Sequence, residues 1–483
     1  MKFKILTILF IICLMNINIG LVNAQTNDYS NSLNRYSFDL YRETKINNEN
    51  LLLSPLSTYY ALLMAYEGSK NKTKQEFERV LYLGNQGSIK KDFIHNHARK
   101  SDSCSFYSVA NAIWVDKSVK IDEDYRNSVG HKYLSDVEQT NFANADSAVS
   151  KINEWVSEKT NRRINEIVSS ANPNTKILIA NAVYFKGEWL NKFEKQKTIS
   201  APFFTSFENQ YKVDFMNMTE NLQYFENEEY QFISKPYKDS YFSFFIILPK
   251  KLFGIEDIEK KLKTDFFNEI IDSTYSAKTM LSIPKLKLES SYMLEDALKN
   301  IGLKTAFTSE ADFSGITKEA PLMLDQVLHK TWIELDEEKT EAAAATAIVG
   351  VRGAGLPSHK VFKADHPFVF FIMDNRSNEI ILMGRYIKPT GGEKIEKEIL
   401  EKNLDNRMQE KFSVGNEYKE PLYVVDKKIL SPVEFKRIKT EDIESMTVIN
   451  NKEEIRKYSS GNYEGLIIIT LKKKRNKKVT HNE

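Results

Sequence analysis

Residues 337–357, reading EEKTEAAAATAIVGVRGAGLP, fit no single secondary structure, and that ambivalence limits the folds open to this chain. The first half is alanine-rich and reads as a fair helix. The second half, with Ile348, Val349, Gly350, Val351 and Gly353, does not continue one. At a period of two, Thr340, Ala342, Ala344, Thr346, Ile348 and Gly350 form an uncharged and mostly small set. The alternate set is Lys339, Glu341, Ala343, Ala345, Ala347, Val349 and Val351, and it carries both charges. A strand of this pattern places the first set on a packed core and the charges in water. Helix, loop and central strand all remain open for the segment taken alone.

Its surroundings are better determined. Val327 to Leu335 alternates as a strand. Residues 368–373 and 380–383 are apolar, β-rich runs separated by the turn-like Asp374-Asn375-Arg376-Ser377-Asn378. Leu281 and Ile283, then Leu286 and Leu288, read as a strand with a break in phase near Pro284. Ile152, Trp155, Val156, Ile164, Ile167 and Val168 recur at helical spacing within 150–168. The mixture predicts an α+β fold with large mixed, mostly antiparallel sheets and surrounding helices.

The N-terminus reads as an export signal over 1–24. Lys2 and Lys4 precede an eleven-residue apolar run from Ile5 to Met15, and Val22-Asn23-Ala24 offers a cleavage site before Gln25. The expected location is therefore secreted or periplasmic. Without the signal only Cys104 remains, so no internal disulfide is expected, and stability must come from the core. With 483 residues, 41% hydrophobic and 12% aromatic, the chain has the material for a large one. The net charge of +2 gives no reason to expect a nucleic-acid partner, and no later apolar stretch is long enough to span a bilayer.

Enzyme signatures are missing. The chain has no Gly-rich phosphate loop, no Gly-x-Ser-x-Gly elbow and no His-Glu-x-x-His. His95 and His97 lack further ligands nearby, and Cys104 sits in a polar stretch of no known signature. No metal, cofactor or catalytic residue is expected.

Across about 29–389 the chain resembles the serpins, the serine protease inhibitor family. Phe362-Lys363-Ala364-Asp365-His366-Pro367-Phe368-Val369-Phe370-Phe371-Ile372 matches the family signature. Asn50-Leu51-Leu52-Leu53-Ser54-Pro55-Leu56-Ser57, Asn111-Ala112, Asn181-Ala182-Val183-Tyr184-Phe185-Lys186-Gly187-Glu188-Trp189, Pro236-Tyr237, Ile283-Pro284-Lys285, Ala311-Asp312-Phe313-Ser314 and His329-Lys330 follow in the family's order. The resemblance implies a serpin fold over 25–389, and an inhibitor of the suicide-substrate type rather than an enzyme. Its target would be a serine protease, with cysteine proteases as a second class, and the protein would act as a monomer.

By the same resemblance, Glu338, Lys339, Thr340, Glu341, Ala342, Ala343, Ala344, Ala345 and Thr346 form the hinge of an exposed reactive loop. A protease cuts the loop, and the freed strand enters the main sheet. Family spacing puts the bait bond at Gly353–Ala354. Arg352 lies one residue earlier and is the only basic side chain between Lys339 and His359, which favours Arg352–Gly353 and a trypsin-like target. Ser54, Ser57, Asn181 and His329 match a polar cluster at the sheet's opening point, and Trp189 matches the place where the hinge enters. Lys339 stands where inhibitory members usually have Gly, which leaves a non-inhibitory binding or structural serpin as the alternative.

After Pro389 the character changes. Residues 390–418 read as a charged linker or helix, with few apolar residues to dock on anything. Three β-like runs at 422–425, 446–449 and 466–471 make a small α/β module within 419–475, followed by a basic tail over 476–483. The runs resemble a short plug domain of TonB-dependent outer-membrane receptors, which implies a Gram-negative bacterial source. Their partner is not indicated.

Overall fold

A computed structural model describes residues 29–84, 105–133, 135–206, 209–238, 241–319, 321–337 and 359–395. Beyond these it describes 413–414, 417–418, 421–430, 435, 438, 442–449, 455, 457–458 and 466–472. The signal segment, Cys104, His95, His97, the whole hinge from Glu338 to Thr346, and the Arg352–Gly353 bond lie outside the described residues.

Among the described residues, two large sheets organise the chain. The five-stranded sheet runs Leu286–Met293, Gln326–Leu335, Ile177–Gly187, Ser105–Asp116 and Asp136–Thr140. Two of its three inner strands, Gln326–Leu335 and Ile177–Gly187, are parallel neighbours, in register from Gln326 opposite Leu178 to Ile333 opposite Phe185. Leu286–Met293 and Ser105–Asp116 flank that pair antiparallel. A ten-stranded sheet holds the hairpin Phe368–Asp374 and Glu379–Tyr386, the long strand Gln210–Glu226 and, at one edge, Lys360–Lys363.

Period-two alternation explains how the five-stranded sheet is buried on both faces. On Ile177–Gly187, the side chains of Ile177, Ile179, Val183 and Phe185 join the main core. Leu178, Ala180, Ala182 and Tyr184 join a second cluster under the helix Ala145–Lys159. The helix Pro55–Gly68 lies in the main core with nearly every residue buried, as an all-round apolar helix must.

Three sequence expectations change in detail. The helix expected within 150–168 ends at Lys159, and Asn161 and Arg162 turn the chain with positive φ. Ile164, Ile167 and Val168 still pack with Ile152 and Val156, so their spacing reports a shared core rather than a continuous helix. The break at Pro284 is where the chain changes sheets, between Tyr275–Pro284 and Leu286–Met293. Lastly, the start of the charged segment is a strand: Glu393–Lys394 pairs with Lys212 and Tyr211. This docking uses the backbone, so the scarcity of apolar side chains does not prevent it.

Beyond it lies a four-stranded sheet, in the order Lys428–Leu430, Leu422–Val425, Leu466–Leu471 and Ile443–Ile449. Its Tyr423, Val425, Ile443, Met446, Ile467 and Ile469 cluster with Phe204 and Leu252 of the main body. The Leu252 amide donates to the Met446 carbonyl at 3.3 Å. No helix among the described residues is long and apolar enough to cross a membrane.

Candidate functional site

The inward rows of the five-stranded sheet are largely apolar but for two adjacent levels near the middle of its inner strands. Along Ile177–Gly187 the row Ile177, Ile179, Val183, Phe185 is interrupted by Asn181, and along Ser105–Asp116 the phase of Ile113 and Val115 reaches Asn111. Along Gln326–Leu335 the phase of Val327, Ile333 and Leu335 reaches His329 and Thr331. The register sets Asn111 opposite Asn181, and Asn181 opposite His329. Three strands therefore present one polar belt to the N-terminus of the Pro55–Gly68 helix.

Ser54 caps that helix, its hydroxyl accepting from the Ser57 amide at 3.4 Å, with Pro55 at the first helical position. The Ser54 hydroxyl also donates to the Ile381 carbonyl at 2.9 Å, and the Ser54 amide donates to Nε2 of His329 at 3.0 Å. Ser57 Oγ donates to Oδ1 of Asn111 at 3.2 Å. The Asn181 amide group donates to Ser57 Oγ and Asn111 Oδ1, and Asn181 Oδ1 meets Nδ1 of His329. Thr331 Oγ1 lies 2.7 Å from Nε2 of His329.

Ser54, Ser57, Asn181, His329 and Thr331 are fully buried. Burial on this scale is tolerated because the polar atoms satisfy one another. It also disfavours the charged imidazole and pushes the His329 pKa down to about 3, against a smaller opposing hydrogen bond from Asn181. The sequence resemblance named Ser54, Ser57, Asn181 and His329, and the structure brings all four together. It adds Asn111 and Thr331, which the period-two phase of their own strands marks as inward.

A second set surrounds the point where the chain leaves the sheet. Trp189 is buried and stacks on Tyr237, with centroids 4.6 Å apart and planes within 8°. Gly187 makes room for that stack, since a Cβ there would stand 2.5 Å from the Tyr237 ring. The Trp189 indole donates to the Asp336 carbonyl at 2.9 Å. Glu337 follows, buried, accepting from Thr198 Oγ1 at 2.5 Å and pairing with the Lys285 ammonium at 2.9 Å. Burial alone would raise the Glu337 pKa, but the bonds from Lys285 and Thr198 together outweigh it and hold the carboxyl below its ordinary value.

Lys186 adds longer contacts to Glu334 and Asp336, at 3.4 and 3.6 Å. Trp189 was read from the sequence. Glu337, Lys285 and Thr198 were not, because nothing local shows that three distant segments meet.

The chain re-enters the described residues at His359, and Lys360–Lys363 pairs parallel with Tyr275–Pro284. Lys360 holds Glu226 at 2.7 Å. The chain thus leaves one sheet at Leu335 and joins the other at Lys360, with an ion pair at Glu337 just after the first strand and another at Lys360.

Comparison with known proteins agrees with this architecture. The serpin (serine protease inhibitor) family profile matches residues 31–389. An uncharacterized serpin-like protein of Thermococcus kodakarensis is 37% identical over 383 residues, covering 77% of this chain and 88% of the relative. The leukocyte elastase inhibitor of Xenopus tropicalis is 34% identical over 375 residues, covering 74% and 99%. Among solved structures, a tumour suppressing serpin superposes with a TM-score of 0.69 at 28% identity, covering 75% of this chain and all of its own. With the family profile spanning the five-stranded sheet, all of the ten-stranded sheet but Glu393–Lys394, the polar belt and both loop anchors, the chain belongs to the serpin family.

Proposed function

We propose that this serpin inhibits serine proteases by trapping them as acyl-enzymes, and that it does so after export from the cell. One observation carries the reading. Two of the three inner strands of the five-stranded sheet, Gln326–Leu335 and Ile177–Gly187, are parallel neighbours, and the chain leaves the end of the first at Leu335. A segment folding back from there runs antiparallel to both, so it can pair along both edges once those strands part. The uncharged set from Thr340 to Gly350 suits the side of such a strand that faces the core.

In this reading the protease serine attacks the Arg352 carbonyl, the amine of Gly353 leaves, and an ester joins the enzyme to Arg352. The cut loop enters the sheet as a new central strand and carries the enzyme with it before water can cleave the ester. Entry requires His329 and Asn181 to separate. Besides the backbone ladder of their strands, their link runs through side chains whose bonds can re-form, which supports a role for the polar belt as the latch of the opening.

Arg352 favours a trypsin-like target. Lys339 favours the second reading, a binding serpin that is cut without trapping, because a lysine turns less freely than the glycine usual there. The signal segment and the plug-like runs after Pro389 support export in a Gram-negative bacterium, on sequence alone. Incubation with trypsin-, elastase- and subtilisin-like proteases tests the proposal. A complex stable in SDS supports trapping, and clean cleavage without complex supports the second reading.

A further inference from the structure

The segment after the family match does not simply leave the body. Thr390 Oγ1 donates to the Lys287 carbonyl at 2.8 Å. Gly391 turns the chain with φ of +84°, and Gly392 passes where a Cβ would stand 3.2 Å from the Lys212 carbonyl. Glu393 and Lys394 then pair antiparallel with Lys212 and Tyr211, and the Ile395 amide donates to the Gln210 carbonyl at 2.9 Å.

The place of this strand is informative. Tyr275–Pro284 runs along the same edge of Gln210–Glu226 as far as Phe215, and the Lys285 amide donates to the Asp214 carbonyl. There the chain departs for the other sheet, and 393–395 continues the edge it abandons. The corner Lys285-Leu286-Lys287 is thereby gripped from the tail side. The same corner holds the loop. Leu286 and Lys287 pair with Leu335 and Glu334, and Lys285 holds Glu337.

We infer that residues 390–395 are a brace that restrains loop entry. By fixing the 285–287 corner they keep Lys285 on Glu337 and hold the start of the reactive loop out of the sheet until the bait bond is cut. The inference rests on the loop-insertion reading above and adds a regulator to it.

Full-length Thr390→Ala and Ile395→Pro, singly and together, test the brace with the C-terminal sheet still attached. Thr390 is exposed, so its truncation leaves the fold intact and decides the matter alone if the proline variant does not fold. Two measurements are made on uncut protein. One is backbone hydrogen exchange by mass spectrometry over 285–287 and 326–337. The other is the rate, under mild heating, of conversion to a form resistant to urea. Each variant is expected to raise exchange at both stretches and to speed conversion roughly fivefold, the effect of one lost hydrogen bond, with the double variant faster still. Exchange rising only at 390–395, or conversion at or below the wild-type rate, overturns the brace. No protease enters these measurements. A wild-type protein that traps nothing in the protease panel refutes the inhibitor reading separately.

Discussion

His329 and Asn181 stand directly opposite each other on two parallel strands, and the imidazole proton of Nδ1 points at the Asn181 side-chain oxygen. The tautomer follows from the partners. The Ser54 amide can only donate, so Nε2 must accept and Nδ1 must carry the proton. A second proton on the ring would set two N–H groups against each other in a buried site.

A pH dependence follows. Above the ordinary histidine pKa of 6.5, His329 is neutral in the folded and unfolded chain alike. Between 6.5 and about 3 the unfolded chain takes up a proton that the folded one refuses, so stability falls as the pH drops through that window. The slope contributed by this residue approaches about 1.4 kcal/mol per pH unit. Urea midpoints measured from pH 7.5 to 4 should show it. His329→Gln should lower stability at pH 7.5 and lose this part of the slope.

Trp189 tests the entry point. Trp189→Phe keeps an aromatic ring on Tyr237 but removes the bond to the Asp336 carbonyl, and should cost about 1 kcal/mol. Trp189→Ala leaves a cavity beside Tyr237 and Phe193 and should cost about 3–5 kcal/mol. Denaturant unfolding of both variants checks the difference.

Specificity is tested at Arg352. Arg352→Ala removes a side chain that a trypsin-like pocket requires, so inhibition of trypsin should fall by roughly 100-fold or more while the thermal midpoint stays. Unchanged trypsin inhibition moves the bait bond elsewhere, and the mass of the released C-terminal fragment locates it.

Insertion predicts opposite outcomes at adjacent residues. Thr340 begins the uncharged set, so Thr340→Arg asks a charge to enter the core, and the complex-to-cleaved ratio should drop roughly tenfold or more. Glu341→Arg faces water in the inserted strand and should change that ratio little. Equal effects at the two positions rule out the register.

The junction with the C-terminal sheet is tested at Leu252, which is buried among Phe204, Met446 and Ile469. Leu252→Asp loses that packing and buries a charge, and should weaken docking by about 2–5 kcal/mol. Limited proteolysis should then cut within 421–472 sooner, while 31–389 stays resistant.

The sequence by itself determined several strands and, where they alternate, their faces. Alternation in Val327 to Leu335 and the apolar runs at 368–373 and 380–383 each carry enough local signal, because a side chain's face on a strand follows from its position alone. The ordered motifs supplied the family and four of the belt residues. The reach of a helix past Lys159 was over-read, because Ile164, Ile167 and Val168 pack on the same core from irregular chain and mimic its period.

Only the tertiary structure decided which polar residues meet. Asn111 joins Asn181 and His329 through the register of three strands, and register is a relation between distant segments that no local pattern encodes. Glu337 gains Lys285 and Thr198 from two distant connecting segments for the same reason. The tail is likewise held by two distant segments: the Thr390 hydroxyl reaches the Lys287 carbonyl, and Glu393–Lys394 pair through their backbone with Lys212 and Tyr211, a pairing that leaves almost no trace in side-chain identity.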